Sequence, residues 1–146
     1  METLLSTISQ LWGGFRFTFG IFFFTLIFSI PLGLLVARGR MSKNKIVSAV
    51  VRAYISIMRG TPLMLQLLLV YFGPYYIFNV KTGDIGIGPF NYRFIATVIG
   101  FSVNYAAYFA EIFRGGIQSM PEGQYHAAQV LGFSKSQTYF RIILPQ

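Results

Sequence analysis

Long uncharged runs alternate with short polar segments along the chain. Two runs cover residues 17–37 and 60–80, and a third begins at residue 94 and ends before Glu111. As a helix rising 1.5 Å per residue, the first run extends about 31 Å, which matches the hydrocarbon core of a bilayer. The pattern predicts an all-α integral membrane protein with spans near residues 17–37, 60–80 and 94–112.

Polar residues recur every three to four positions between the first two runs. They are Lys45, Ser48, Arg52, Ser56 and Arg59, and the positions between them are mostly apolar. This spacing predicts an amphipathic helix over residues 45–59, which either leads into the second span or lies on the membrane surface. After this helix, Thr61 suits an N-cap and Pro62 suits the first helical position of the second span.

Small and polar residues are frequent in the third run. They are Gly100, Ser102, Asn104, Ala106 and Ala107. Small residues let membrane helices pack closely, and an amide exposed to lipid is costly. We therefore predict that this helix packs tightly and that Asn104 faces inward, either bonded to a neighbouring helix or in contact with a substrate.

The last segment, residues 115–146, is compatible with water and predicts a helix–turn–helix. In "SMPE", Ser119 lies three residues before Glu122. In "SKSQ", Ser134 lies three residues before Gln137. Both spacings are typical of a capping box, so each marks the start of a helix.

The ends of these two helices are also marked. Gly132 is in the position where a glycine ends a helix, and Pro145 stops the second helix. Within the first helix, Ala127 and Ala128 leave a flat surface against which another protein could pack.

Composition supports a lipid environment. Hydrophobic residues make up 54% of the chain and charged residues 11%, with a mean hydropathy of +0.58. A soluble chain this short could not bury so much apolar surface. The absence of cysteine and the single histidine exclude disulfides, thiolate sites and multi-histidine metal sites. No paired carboxylates or serine–histidine pair indicate catalysis, so we predict neither an enzyme nor a metal site.

The net charge of +8 is clustered in a way that indicates membrane orientation rather than nucleic-acid binding. Four basic residues lie within eight positions between the first two runs: Arg38, Arg40, Lys43 and Lys45. Basic loops remain in the cytoplasm. We therefore predict that the N-terminus and the connection 81–93 lie outside, and that the tail after Glu111 is cytoplasmic. The N-terminus lacks the basic region of a cleaved signal peptide.

Three stretches resemble the permease subunits of ATP-binding-cassette importers. His126-Ala127-Ala128, Gly132, Ile142 and Leu144-Pro145 occur in the order and spacing of the EAA loop. The stretches "RGTPLMLQLLLVYFG" and "NYAAYFAEIFRGGIQSMPEGQ" are similar to the polar amino-acid branch of these permeases, the histidine/glutamine/arginine type. The resemblance begins near residue 15, and it departs from the family pattern where His126 replaces the usual glutamate of the EAA motif.

The resemblance implies a type I importer transmembrane domain, with residues 115–146 as the coupling loop. It implies an ABC ATPase subunit, an extracytoplasmic amino-acid-binding protein and a second permease subunit as partners in a bacterial inner membrane. ATP and magnesium would be bound by the ATPase, since this chain has no phosphate-binding loop. The residues expected to dock the ATPase are Glu122, Gly123, His126, Ala127, Ala128, Gly132, Ile142, Leu144 and Pro145.

Polar residues near the second and third spans are candidates for the substrate path. They are Arg59, Thr61, Gln66, Asn104, Tyr108 and Glu111. For several of them a local role stays open. Residues 59–62 could end one helix, start the next and anchor the chain at the membrane, or they could form a bend that lines the path. Glu111 could form a local ion pair with Arg114, three residues on.

The leading hypothesis is a permease subunit of an ATP-driven importer that moves a polar amino acid from a binding protein into the cytoplasm. Family members continue through two more spans after the EAA loop, whereas this chain ends at Gln146. An alternative is therefore a truncated fragment that inserts into the membrane without transporting. A third is a small self-contained channel or exporter. Neither the amino acid carried nor a choice between homodimer and heterodimer follows from the residues.

Overall fold

A computed structural model of the chain describes residues 2–80, 86–87 and 90–146. Its helices are α1 (Glu2–Arg40), α2 (Lys45–Gly60), α3 (Leu63–Phe78), α4 (Tyr92–Ser119), α5 (Glu122–Val130) and α6 (Lys135–Thr138), and a π-helical turn follows at Tyr139–Ile143. Among the described helices, α1 from Ser6 onward and α4 are each long and apolar enough to cross a membrane, and the bent pair of α2 and α3 is a third candidate. The helical membrane fold predicted from the sequence is confirmed.

One small β-hairpin interrupts the helical pattern before α4. Strand β1 (Gly86–Ile87) pairs with strand β2 (Phe90–Asn91) in antiparallel fashion. Of the predicted 81–93 connection, residues 81–85 and 88–89 lie outside the described residues. Asn91 then caps α4, because its side-chain oxygen accepts a hydrogen bond of 3.0 Å from the Phe94 amide.

Helix α1 is much longer than the predicted span over residues 17–37. Its 39 residues extend about 58 Å at 1.5 Å per residue, nearly twice the thickness of a bilayer core. An uncharged run marks only the part of a helix that suits lipid. The helix itself continues through the polar residues on either side, since no cap or proline ends it before Arg40.

The predicted close packing of the third run is confirmed in the contact between α1 and α4. Gly33 of α1 lies against the Ala106 carbonyl and the Phe109 side chain. Next to this contact, small residues of both helices are fully buried: Ala37, Ala106, Ala107 and Ala110. Small side chains let the two backbones approach each other, so dispersion contacts replace the hydrophobic effect that is absent in lipid.

Substituting Gly33 by alanine is expected to destabilise the fold more than the same change at Gly100. A methyl group at Gly33 would lie 2.6 Å from Phe109 Cβ, an atom fixed by the backbone. At Gly100 it would lie 2.6 Å from Leu67 Cδ2, the free end of a flexible side chain. We expect Gly33→Ala to cost about 1–3 kcal/mol, as overpacking does, and Gly100→Ala to cost less. Thermal unfolding of both variants in detergent measures the difference, and equal midpoints would contradict the tight α1–α4 contact.

The chain bends by 107° between α2 and α3. The prediction that Thr61 caps the following helix is wrong, because the Thr61 hydroxyl donates back to the Ile57 carbonyl at 2.7 Å and ends α2. The predicted helical position of Pro62 is also wrong. Pro62 has a ψ of 130° and precedes α3 as its N-cap, while its ring forces Thr61 into an extended conformation that cannot continue a helix.

The tail begins later than residue 115, since α4 continues to Ser119. The predicted capping box of Ser119 and Glu122 does not form. The Ser119 hydroxyl donates to the Gly116 carbonyl within α4 at 2.8 Å, and Pro121 takes the N-cap position of α5. The second capping box is confirmed: the Gln137 amide donates to Ser134 Oγ at 3.3 Å, and the Ser134 amide donates to Gln137 Oε1 at 2.9 Å.

Candidate functional site

The turn between α5 and α6 depends on Gly132, as the sequence predicts. Gly132 has a φ of +76°, in the left-handed region that favours glycine. Its amide donates to the Gln129 carbonyl at 3.0 Å, and the Phe133 amide donates to the Ala128 carbonyl at 2.9 Å. This pair of bonds is a Schellman motif, which satisfies the last carbonyls of α5 and sets the direction of the chain into α6.

One side of α5 faces away from the rest of the chain. Gly123, Ala127 and Val130 are spaced by four and three residues, which places them on the same side of the helix. All three are exposed, as are His126 beside them and Glu122 at the start of the helix. We call Gly123, His126, Ala127, Val130 and Leu131 the outer face of α5.

The predicted flat surface formed by Ala127 together with Ala128 is wrong. Only Ala127 is exposed, whereas Ala128 retains 1% of its accessible surface and faces the interior of the tail. The two residues are 100° apart around the helix, so burial of one leaves the other on the outer face. Ala128 can support the loop from within, but it is not free to contact a partner.

Two large apolar residues of the outer face were missed in the sequence. Val130 is 87% exposed and Leu131 is 73% exposed. Their signal is present in the sequence, because they lie three and four residues after Ala127 and so on the same side of a helix. Next to a water-compatible helix, two such exposed side chains form an apolar patch of the kind that protein interfaces bury.

The remaining predicted docking residues lie at the end of the chain. Ile142 and Leu144 are half-buried and Pro145 is exposed, while Ile143 between them is buried. The π-helical turn is closed by a bond of 2.9 Å from the Leu144 amide to the Tyr139 carbonyl. Of the three predicted docking residues in this part of the tail, only Pro145 is therefore as exposed as the outer face of α5.

Helix α1 contacts this tail at its last turn. The guanidinium carbon of Arg38 lies 5.7 Å from the centre of the Tyr139 ring and 5.8 Å from that of Phe140. Burial raises the pKa of the Tyr139 hydroxyl above its ordinary value, so the phenol is neutral when Arg38 lies against it. This cation–π contact connects the end of the first candidate span to the helix–turn–helix.

Three of the predicted substrate-path residues meet at the bend between α2 and α3. Gln66 Nε2 lies 2.6 Å from Thr61 Oγ1 and 3.0 Å from the Met58 carbonyl. The Asn104 side chain is 4% exposed and donates to the same Met58 carbonyl at 3.0 Å and to Gln66 Oε1 at 2.8 Å. We call Met58, Thr61, Gln66 and Asn104 the bend cluster, because their hydrogen bonds join both sides of the bend to α4.

The other three predicted path residues lie near the bend and at the far end of α4. The Arg59 guanidinium carbon is 5.4 Å from the centre of the Tyr108 ring. The predicted pair of Glu111 and Arg114 is confirmed, with a distance of 2.7 Å between Arg114 NH2 and Glu111 Oε2. Arg40 Nε, at the end of α1, lies 4.0 Å from the other oxygen of the same carboxylate. Glu111 is therefore shared by two helices, which local spacing did not predict.

A cavity of about 420 Å³ between α1 and α4 has a different character. It is lined by Phe24, Phe28, Phe90, Phe94, Ile95, Val98, Ile99, Ser102 and Val103. The lining has one hydroxyl among aromatic and aliphatic side chains, so it offers no charged partner to the ammonium and carboxylate groups of an amino acid. The polar groups at the bend are therefore the stronger candidates for contact with a polar substrate.

Comparison with known proteins identifies the family. Residues 29–146 match the family described as "Binding-protein-dependent transport system inner membrane component". The chain is 38% identical, over 92% of its length, to the L-cystine transport system permease protein TcyB of Bacillus subtilis. It is 40% identical, over 94% of its length, to the histidine/lysine/arginine/ornithine transport system permease protein HisM of Salmonella typhimurium.

A solved structure has the same fold. The crystal structure of an amino acid ABC transporter with histidines matches 95% of this chain and 63% of its own, with a TM-score of 0.69 and 33% identity. The chain spans 53% of the length of TcyB and 61% of that of HisM. These matches and the apolar helices show that the chain is an inner-membrane protein. It belongs to the family of binding-protein-dependent transport system inner membrane components.

Proposed function

We propose that this chain forms part of the membrane channel of an ATP-driven importer that brings a polar amino acid into the cytoplasm. The observation that carries the proposal is the outer face of α5, an exposed apolar patch joined directly to the end of a candidate span. The permease names of TcyB and HisM support the same function. The ATPase, an extracytoplasmic binding protein and a second permease subunit would be its partners.

The connection between α5 and α4 suggests how ATP hydrolysis reaches the membrane. Only Met120 and Pro121 separate the two helices, and the ring of Pro121 fixes one of the few free torsions. A displacement of α5 by an ATPase would therefore move the end of α4. Through the bend cluster, α4 would pass this motion on to α2 and α3.

Polar groups at the bend are proposed to line the substrate path. Both hydrogens of the Asn104 amide are used within the bend cluster, so its role there is to hold the bend, and only its oxygen would face a substrate. Arg59 is exposed and lies over the face of the Tyr108 ring, and the planar guanidinium presents N–H groups that fit a carboxylate. We therefore assign Arg59 the contact with the substrate carboxylate, and Gln66 and Thr61 the support of the bend beside it.

Loss of the gene tests this function. Cells without it are expected to lose uptake of at least one labelled polar amino acid, and the gene supplied in trans should restore it. Membrane insertion and ATPase binding with unchanged uptake of every amino acid tested would contradict the proposal.

The proposed orientation places the connection 41–44 in the cytoplasm and β1 outside. The basic residues at the end of α1 and the start of α2 favour this arrangement. A reporter active only in the cytoplasm should be active when fused after Lys43, and one active only outside should be active when fused after Gly86. The reverse pattern would put the outer face of α5 on the wrong side for an ATPase.

A further inference from the structure

Helix α2 presents three different faces, of which only one packs against the protein. Ile55 is buried in a core cluster with Ala37, Ala107 and Ala110, and Tyr54 and Met58 pack against that cluster on the same side. The other two faces of α2 are exposed, and they differ in chemistry.

The second face is apolar and uncovered within the described chain. Ile46 is 75% exposed, Val50 is 64% exposed and Ile57 is 57% exposed. Their spacing of four and seven residues places them in one stripe along the helix. The stripe is about a third of a turn away from the core face, so it points outward from the bundle.

The third face is a basic groove of about 620 Å³. It is lined by Ser42, Lys43, Lys45, Ser48, Ala49, Arg52, Ala53 and Ser56. Its lining therefore combines small residues with three cations, Lys43, Lys45 and Arg52. Of the carboxylates in the part of the chain that the structure describes, neither Glu111 nor Glu122 lines this groove.

The groove lies where α1, the first candidate span, ends. Ser48 Oγ donates to the Arg40 carbonyl at 3.0 Å and accepts a bond of 3.3 Å from the Arg40 guanidinium. These bonds fix the start of α2 against the last residue of α1. Because the uncharged run of α1 ends at Ala37, the proposed orientation would put the groove near the lipid headgroups, beside the exposed apolar stripe.

We propose that the basic groove binds the phosphate headgroup of an anionic phospholipid, whose acyl chains lie along Ile46, Val50 and Ile57. Lys43, Lys45 and Arg52 provide the positive charge that an anionic headgroup requires. A soluble phosphate would contact only the groove, whereas a lipid would also cover the adjacent apolar stripe with its acyl chains. The stripe therefore favours a lipid over a free phosphate. A bound lipid would hold α2, and with it the bend, at the membrane surface whether or not the chain transports.

The test is retention of lipid by the whole chain purified in detergent with equal amounts of phosphatidylglycerol and phosphatidylcholine. Native mass spectrometry then counts the bound lipids of each class. We expect wild type to retain phosphatidylglycerol selectively, and Lys45→Gln with Arg52→Gln to lower the ratio of the two lipids at least threefold. The matched control, Lys135→Gln with Arg141→Gln, removes the same charge from the exposed tail and should leave the ratio unchanged.

Two further arms separate a lipid site from a free-anion site. Ile46→Ser with Val50→Ser leaves every cation in place and should still lower phosphatidylglycerol retention, while excess inorganic phosphate should not displace the lipid. An unchanged ratio in the groove variant, an equal fall in the tail control, or displacement by phosphate would each overturn the proposal. Because no arm measures uptake, failure here would leave the proposed transport function standing.

Discussion

Replacing Val130 by aspartate is expected to remove ATPase binding while the chain still folds and inserts. Val130 is 87% exposed at the centre of the outer face of α5, so the new carboxylate is solvated in the isolated subunit. In the complex it would enter an interface packed as densely as a protein interior. An unpaired buried charge there costs several kcal/mol, which corresponds to a loss of affinity of a hundredfold or more.

Two neighbouring substitutions make this result specific. Gln129→Asp adds the same charge about 100° away around the helix, outside the outer face, and should retain most ATPase binding. Ala128→Asp buries the charge within the tail itself and should destabilise the helix–turn–helix before any partner binds. Co-purification from membranes, with the ATPase identified by its phosphate-binding loop, measures all three. Wild-type binding by Val130→Asp would show that the outer face is not the docking surface.

The second large effect is expected from Asn104→Leu. Leucine nearly matches asparagine in size but cannot donate, so Gln66 Oε1 loses its partner and the Met58 carbonyl keeps only the bond from Gln66 Nε2. Leaving a group such as Gln66 Oε1 without a partner costs about 1–3 kcal/mol. We expect a lower unfolding temperature, a wider range of angles at the bend, and uptake reduced by roughly tenfold or more, since 1.4 kcal/mol corresponds to a factor of ten.

The chain has no cysteine, so spin labels on introduced cysteines in α2 and α3 can report the bend directly. Thr97→Val is the matched control, because it removes a hydrogen bond of 2.7 Å from the same helix without touching the bend. If Asn104→Leu lost uptake with an unaltered label distance, the amide would act on the substrate rather than on the bend. A variant with both wild-type distance and wild-type uptake would contradict either role.

Features encoded in composition or in one residue's backbone conformation could be predicted from the sequence. The span over residues 17–37 follows from its uncharged length, and Gly132 follows from the left-handed conformation that ends α5. Caps were less predictable, because a hydroxyl between two helices can either accept from the amides that start the next helix or donate to the carbonyls that end the preceding one. Thr61 and Ser119 each donate to the preceding helix instead of capping the next one.

Contacts between distant residues could not be predicted at all. Gln66 and Asn104 are 38 residues apart, and their pairing exists only because α3 folds back against α4 after the bend. Burial of Ala128 likewise depends on how the tail packs, since Ala127 and Ala128 are identical neighbours in one helix and only Ala128 is buried. In a single sequence, a polar residue in an apolar helix indicates that a partner is needed, but not which one.

The most direct test of the proposed function is ATP-dependent uptake by proteoliposomes. The chain, expressed from its own gene and purified with its proposed ATPase partner, would be reconstituted with ATP inside and a binding protein with labelled amino acids outside. We predict accumulation of at least one polar amino acid that requires ATP, is lost in Val130→Asp and is retained in Gln129→Asp. Uptake that does not depend on ATP would contradict the proposed importer. Hydrolysis of ATP by the complex with no accumulation of any amino acid in the proteoliposomes would contradict it as well.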